Sequence, residues 1–116
     1  LKSLYVESGT ETKPTAKIEL EIEGVCVKDF GSGDGPVDAV YRTLRAMTKT
    51  EGKLLNYSVK GITRGTDAQG EVTVKLEEGG KTFVGHGADT DIIIASAKAY
   101  INALNKATYT KKMETK

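Results

Sequence analysis

One pattern recurs along this chain: a strand with alternating apolar residues, a pair of glycines and a helix with one apolar face occur twice, in the same order. The apolar strand positions recur 54 residues apart: Ile18, Leu20 and Ile22 correspond to Val72, Val74 and Leu76. The glycine pairs have the same spacing: Gly31 and Gly33 correspond to Gly85 and Gly87. Since chance rarely aligns all three features, we interpret the chain as a duplicated unit.

The first repeat predicts three strands and a helix. A short strand at residues 4–7 is followed by a turn at 8–10 and by residues 16–23, where apolar and charged residues alternate as in a half-exposed antiparallel strand. Residues 25–30 form the returning strand, and residues 31–35 form a loop. Pro36 begins a helix, and Gly52 is a plausible stop. Its apolar face has helical spacing and consists of Val37, Val40, Tyr41, Leu44 and Met47.

The second repeat follows the same plan. Alternating residues 55–59 and 71–77 predict two strands joined by a turn at 67–70, and a glycine pair at 79–80 predicts a hairpin. The returning strand covers residues 81–84, and residues 85–87 form the loop. Asp89 or Thr90 then caps a second helix. Its apolar face consists of Ile93, Ala97, Tyr100, Ile101 and Leu104.

The duplication predicts an α+β fold of two β-β-β-α units. Each unit has a sheet with one apolar face and a helix to cover it, and we expect the two units to bury these faces together around an internal pseudo-twofold axis. We predict one domain over residues 1–107, with units at about 1–52 and 53–107. Residues 108–116 are expected to form a polar, disordered tail.

Composition excludes several classes of function. The 116 residues include 17 Lys and Arg against 16 Asp and Glu, so no positive excess supports nucleic-acid binding. No apolar run approaches the roughly 20 residues of a membrane span. With one cysteine, Cys26, and one histidine, His86, the chain has no Cys/His zinc cluster. We expect a soluble cytoplasmic domain and, since the sequence begins at Leu1, a piece of a longer protein.

The glycine-rich segments before the two helices are the candidate binding features. A helix N-terminus presents unpaired N–H groups, and glycines allow a ligand to approach the backbone, so the arrangement favours a carboxylate or a phosphate. The alternative is that the glycines only permit tight strand-to-helix turns. His86 has no paired nucleophile, and Cys26 is most simply a small buried side chain, so we predict no catalytic residue.

The two motifs resemble a known family. Residues 31–44, GSGDGPVDAVYRTL, and residues 85–106, GHGADTDIIIASAKAYINALNK, are similar to the C-terminal regulatory domain of 2-isopropylmalate synthases. The resemblance covers roughly residues 4–106 and includes the segment from Tyr57 to Val72. A related domain ends some citramalate synthases.

The resemblance implies a dimeric domain that binds leucine at the dimer interface and regulates a catalytic barrel in the same parent chain. That barrel condenses acetyl-CoA with 3-methyl-2-oxobutanoate and uses a divalent metal, and the regulatory domain itself has no cofactor and no activity. Backbone amides of two segments are expected to hold the carboxylate of the effector: Gly33, Asp34 and Gly35, and Gly87, Ala88 and Asp89. Asp34 or Asp89 would face its ammonium group. The branched side chain would lie among Pro36, Val37, Val40, Tyr41 and Ile92.

Three alternatives stay open at this point. The effector could be isoleucine in a citramalate synthase, since leucine and isoleucine differ only in branching. The domain could be a dimerisation module without a ligand. A small stand-alone enzyme that uses His86 would need partner groups that the sequence lacks.

Overall fold

The computed structural model describes residues 3–7, 13–22, 24–62 and 69–114. The turn predicted at residues 8–10, the first half of the one at 67–70 and the last two residues of the tail lie outside these ranges. The chain divides into two compact units, Leu1–Lys49 and Thr50–Lys116. Each contains a three-stranded antiparallel sheet followed by one helix, which confirms the duplicated β-β-β-α architecture.

In the first unit, three antiparallel strands are arranged in chain order, and one helix packs on them. The strands are β1 (Ser3–Glu7), β2 (Thr15–Ile22) and β3 (Val25–Ser32), and the helix is α1 (Pro36–Thr48). The apolar positions of the central strand β2 alternate with charged ones, so one face of the strand is buried and the other is largely solvated. The buried core combines both elements: Ala16, Ile18 and Leu20 from β2, and Ala39, Val40, Tyr41, Leu44 and Met47 from α1.

The second unit repeats this plan with longer elements. Its strands are β4 (Lys53–Ile62), β5 (Gln69–Glu78) and β6 (Lys81–Asp89), with β5 in the centre, and its helix is α2 (Ile92–Glu114). Gly79 and Gly80 both have positive φ and join β5 to β6 in a two-residue turn, as predicted. The core consists of Val72, Val74 and Leu76 on β5 and of Tyr100, Leu104 and several alanines on α2.

The glycine pairs lie mostly in strands and not in loops, contrary to the sequence-based prediction. β3 includes Gly31, and β6 continues through Gly85 and Gly87 to Asp89. A Cβ at Gly85 would lie 2.6 Å from the backbone nitrogen of Ala103, and a Cβ at Gly87 would lie 2.6 Å from that of Ala99. These glycines are therefore required because the helix backbone packs directly on the strand.

An alanine stripe on α2 faces this contact and was not predicted. Its members are four residues apart and buried: Ala95, Ala99, Ala103 and Ala107. Small residues on the helix and glycines on the strand together allow close packing. The predicted stripe is only partly correct, since Ala97, Tyr100 and Leu104 are buried whereas Ile93 and Ile101 are half-buried.

Both helices end at positions other than those predicted. α1 ends at Thr48, where Lys49 adopts the left-handed conformation (φ 54°) and caps the helix, so Gly52 is not the stop. α2 continues past Asn105 to Glu114 and includes much of the segment expected to be a disordered tail. Neither glycine nor proline interrupts this segment, and Ala107 is buried.

Side chains of α2 also cover the free edge of β6. Lys106 Nζ donates to the carbonyl of Val84 at 2.7 Å, and Lys98 Nζ donates to that of Ala88 at 3.4 Å. Between them, Asn102 Oδ1 accepts the backbone N–H of His86 at 3.1 Å. Since these three side chains are four residues apart, one face of α2 satisfies three of the outward-pointing backbone groups of the strand. No helix in the described ranges is both long and apolar enough to cross a membrane.

Candidate functional site

The segment between β3 and α1 holds three of the predicted carboxylate-binding residues, but two of their amides already have partners. The N–H of Gly33 donates to the carbonyl of Pro14 at 3.1 Å. The N–H of Asp34 donates to Asp38 Oδ2 at 2.9 Å. A Cβ at Gly33 would also lie 2.6 Å from the backbone nitrogen of Ala39, so close packing explains why this residue is glycine.

The first turn of α1 remains suited to an anion. Its N-cap residue, Gly35, is extended and provides no side-chain cap, and Pro36 is the first helical residue. The N–H of Ala39 donates to the carbonyl of Gly35 at 2.9 Å, whereas the amides of Val37 and Asp38 lie in the first turn, which has no intrahelical acceptors. The helix dipole adds a partial positive charge at this end.

Arg42 lies beside this turn with its positive charge shared between two carboxylates, and the sequence-based prediction did not include it. Its guanidinium contacts Asp38 Oδ2 at 2.8 Å and Asp34 Oδ2 at 3.7 Å. The i, i+4 spacing of Asp38 and Arg42 could have predicted the first contact. The Asp34 carboxylate is highly exposed, so it can also receive a second cation.

The apolar residues predicted to surround a ligand fall into two classes. Val40 and Tyr41 are buried in the core of the first unit, and Arg45 lies over the Tyr41 ring at 5.3 Å. Pro36 and Val37 are half-buried and present some surface beside the first turn of α1. Of the four predicted apolar residues in this unit, these last two can contact a ligand without rearrangement of the core.

The N-terminus of α2 differs from that of α1 because an aspartate caps it. Asp91 Oδ1 accepts the N–H groups of Ile93 at 2.8 Å and of Ile94 at 3.4 Å. The cap is therefore Asp91, and not Asp89 or Thr90 as predicted. Since its carboxylate already occupies the anion position, this helix end is less suited to a second carboxylate.

Asp89 ends β6 and is held by several donors. It accepts the N–H of Asp91 at 3.0 Å and the ammonium of Lys98 at 2.9 Å. The hydrogen bond from Asp91, followed by the contact with Lys98, lowers the pKa of the Asp89 carboxyl below its ordinary value. Gly87 and Ala88 belong to the same strand, so this predicted group is not a loop.

An exposed apolar surface lies beside this strand end. Ile92 is 37% exposed, and its Cδ1 fills the space where Gly70 lacks a side chain. Val59, on the neighbouring part of the sheet, is 48% exposed. The second unit therefore offers an acidic group and aliphatic surface within one region.

The remaining candidates show no catalytic arrangement. His86 is exposed on the outer face of the second sheet, where Nδ1 lies 3.1 Å from Thr73 Oγ1. Cys26 is exposed and not buried as predicted, because it lies on the outer face of the edge strand β3. Among the residues that the structure describes, no group of three or more His, Cys, Asp or Glu could hold a metal ion.

Comparison with known proteins shows the family to which the chain is similar. A family model described as the LeuA allosteric (dimerisation) domain matches residues 1–108. Proteins named 2-isopropylmalate synthase from Syntrophus aciditrophicus (strain SB) and Heliobacterium modesticaldum are 51% and 47% identical to the chain over 109 residues, or 94% of its length. One from Aromatoleum aromaticum is 52% identical over 99 residues. The chain spans only 21% of the length of the first two relatives.

Proposed function

Because the chain belongs to the family of LeuA allosteric (dimerisation) domains, we propose that it is the regulatory domain of a 2-isopropylmalate synthase. As a homodimer, it binds L-leucine at the dimer interface and transmits feedback inhibition to the rest of the parent chain. The reaction inhibited is the condensation of acetyl-CoA with 3-methyl-2-oxobutanoate. The observation that carries this proposal is the family match over residues 1–108, together with the shared name of the relatives.

The acetyl-CoA and divalent-metal sites of the parent enzyme are assigned to its catalytic barrel. This domain contributes regulation only. Its ligand must therefore act at a distance, which requires that leucine binds one arrangement of the parent protein better than another. A leucine that orders the dimer interface would restrain movement of the attached barrel.

For the carboxylate of leucine, we propose the first turn of α1. Three observations support this position: Gly35 provides no side-chain cap, the amides of Val37 and Asp38 lie in the first turn, and Arg42 is adjacent. The exposed carboxylate of Asp34 is the acceptor for the ammonium group. Pro36 and Val37 supply aliphatic contacts at this end.

The second unit contains the remaining predicted site residues. Asp89 is a second acceptor for an ammonium group, in competition with Lys98, and Ile92 is the aliphatic contact. Gly87 and Ala88 would contact the effector through their backbone atoms only. Since Asp91 caps α2, we assign the carboxylate of the effector to the first unit.

Isothermal titration calorimetry with leucine, isoleucine and valine tests the proposed function. We expect saturable binding of leucine to the dimer and weaker binding of the other two, since differences in branching are worth about 1–3 kcal/mol in an apolar pocket. Preference for isoleucine would instead support the regulatory domain of a citramalate synthase. A dimer that binds none of the three would be an assembly module and would overturn the proposal.

A matched pair of variants tests the position of the carboxylate. Val37→Asp places a negative charge in the first turn of α1, where it suits the helix dipole but repels an anionic ligand. We expect leucine affinity to fall at least tenfold while the far-UV circular dichroism spectrum is retained. Thr90→Asp adds the same charge before α2 and should leave affinity nearly unchanged. Equal losses in both variants would contradict the assignment to α1.

A further inference from the structure

Three of the four sheet edges have features that discourage pairing with another strand. Among the described residues β1 has five, and β4 carries two lysines and a register shift between Leu54 and Asn56. The edge of β6 is covered by Lys98, Asn102 and Lys106 of α2. Short edges, bulges, lysines and covering side chains are the usual protections of an edge strand.

The fourth edge, β3, is different. The N–H of Phe30 donates to its neighbour Asp29 Oδ1 at 2.8 Å, so Phe30 is a residue whose backbone groups point away from β2. Lys28 and Ser32 each lie two residues from Phe30, so their backbone groups also point away from β2. The helix positions equivalent to Asn102 and Lys106 fall after the end of α1 at Thr48, so this helix is too short to cover the edge as α2 does.

Aromatic side chains accompany this edge on the outer face of the sheet. Phe30 is 71% exposed and Tyr5 is 58% exposed, and Lys17 lies between them in the strand register. The Lys17 ammonium lies 5.8 Å from the centre of the Tyr5 ring. The edge is therefore eight residues long, has no register shift with β2, carries one lysine where β4 carries two, and is bordered by an exposed phenyl ring.

We propose that β3 pairs in antiparallel fashion with β3 of a second copy of this chain, in a register centred on Phe30. The inference rests on the homodimer of the proposed function and assigns its contact. A register centred on Lys28 or on Asp29 sets like charges opposite each other, which is unfavourable. One centred on Val27 leaves Phe30 outside the ladder. Centring on Phe30 places the two phenyl rings opposite each other and Lys28 opposite the partner's Ser32.

Disulfide cross-linking of the whole chain tests this register. In a Cys26→Ser background, Phe30→Cys places two thiols on directly opposed residues whose Cα atoms are about 5.5 Å apart, within the range of a disulfide. We expect a cross-linked dimer under mild oxidation. The control, Lys28→Cys in the same background, lies on the same outer face. Its Cα atoms would be more than about 13 Å apart along the strands, so it should remain uncross-linked.

A second variant tests the edge without a thiol. Phe30→Pro removes the outward N–H, which donates to Asp29 Oδ1, and no β2–β3 ladder bond, so the domain should fold, as circular dichroism can verify. We expect its dimer dissociation constant to rise at least tenfold in sedimentation velocity. If the unmodified chain is monomeric, the homodimer of the proposed function fails. The unmodified chain could instead be a dimer that survives the Phe30→Pro substitution and that Phe30→Cys fails to cross-link. That result would overturn the β3 contact but not the homodimer.

Discussion

At the scale of single residues, Gly85 shows what the glycine motif does in this fold. An added Cβ would collide with the carbonyl of Ala99 and lie 2.6 Å from the nitrogen of Ala103. Because both obstacles are backbone atoms, they cannot move aside as a flexible side chain would. We expect Gly85→Ala to lower the free energy of unfolding by about 2–3 kcal/mol, as overpacking does, measured by urea denaturation.

Gly61 provides the matched control for this prediction. It also lies in a strand of the second unit, but a Cβ added there would meet nothing within 4 Å, and its φ is not positive. Gly61→Ala should therefore change the free energy of unfolding by less than about 1 kcal/mol, with a small gain from reduced freedom of the unfolded chain. Similar effects of the two substitutions would refute the close-packing explanation.

Asp89 gives a prediction about pH. Hydrogen bonds from Asp91 and then Lys98 favour its carboxylate, so its pKa in the folded chain is below the ordinary 3.8. The resulting stabilisation is present above the unfolded pKa and is lost as the pH falls through the folded value. Carboxyl ¹³C NMR should give a midpoint below 3.8 for Asp89, and Lys98→Met should move this midpoint upward. An unchanged midpoint in Lys98→Met would show that Lys98 makes no contribution.

At the scale of elements, the end of α1 is a point of backbone strain. Lys49 holds a φ of 54°, a conformation that glycine adopts without the cost of a Cβ. We expect Lys49→Gly to raise the free energy of unfolding by about 1 kcal/mol, measured as a higher midpoint of thermal denaturation. Ala46→Gly, at an exposed helical position, should lower it by about the same amount. A loss of stability in both variants would show that the Lys49 side chain matters more than its backbone.

The elements also show what could be predicted from sequence. The strict alternation of apolar and polar residues was sufficient to predict β2 and β5 and their buried faces. With a period of two, every second side chain lies on the same face of the strand, so the apolar residues define the buried face. Pro36 likewise marked the start of α1. Glycine was ambiguous, since the missing side chain serves a turn and a close helix contact equally well, and only the fold shows that Gly85 and Gly87 serve the second. The cap of α2 was ambiguous because Asp89, Thr90 and Asp91 are consecutive and all can cap a helix.

The candidate site was less predictable than the fold for a related reason. Its motif predicts which segments form the site, but the availability of an amide in them depends on partners distant in sequence. The carbonyl of Pro14 accepts the hydrogen bond of the Gly33 N–H from 19 residues away in the sequence, and no local sequence pattern indicates this contact. Arg42 was not among the predicted residues, although its i, i+4 spacing from Asp38 is typical of a helical ion pair.

At the scale of the whole molecule, leucine binding and dimerisation should be linked. If leucine binds at the dimer interface, each equilibrium must shift the other by the same factor. We expect saturating leucine to lower the dimer dissociation constant by about 5–150-fold, measured by sedimentation at several chain concentrations. Valine, which we expect to bind more weakly, should have a smaller effect at the same concentration. A dissociation constant independent of leucine would place the ligand away from the interface.

The contact between α2 and β6 has a mechanical consequence. Where Ala99 and Ala103 meet Gly85, no layer of side chains separates the helix backbone from the strand backbone, so little deformable material lies between them. Lys98, Asn102 and Lys106 fasten the same helix along the strand edge. The 23 residues of α2 form a rod about 34 Å long at about 1.5 Å per residue. We therefore expect β6 and α2 to move as one rigid body, so that a displacement at one end of α2 also displaces its other end.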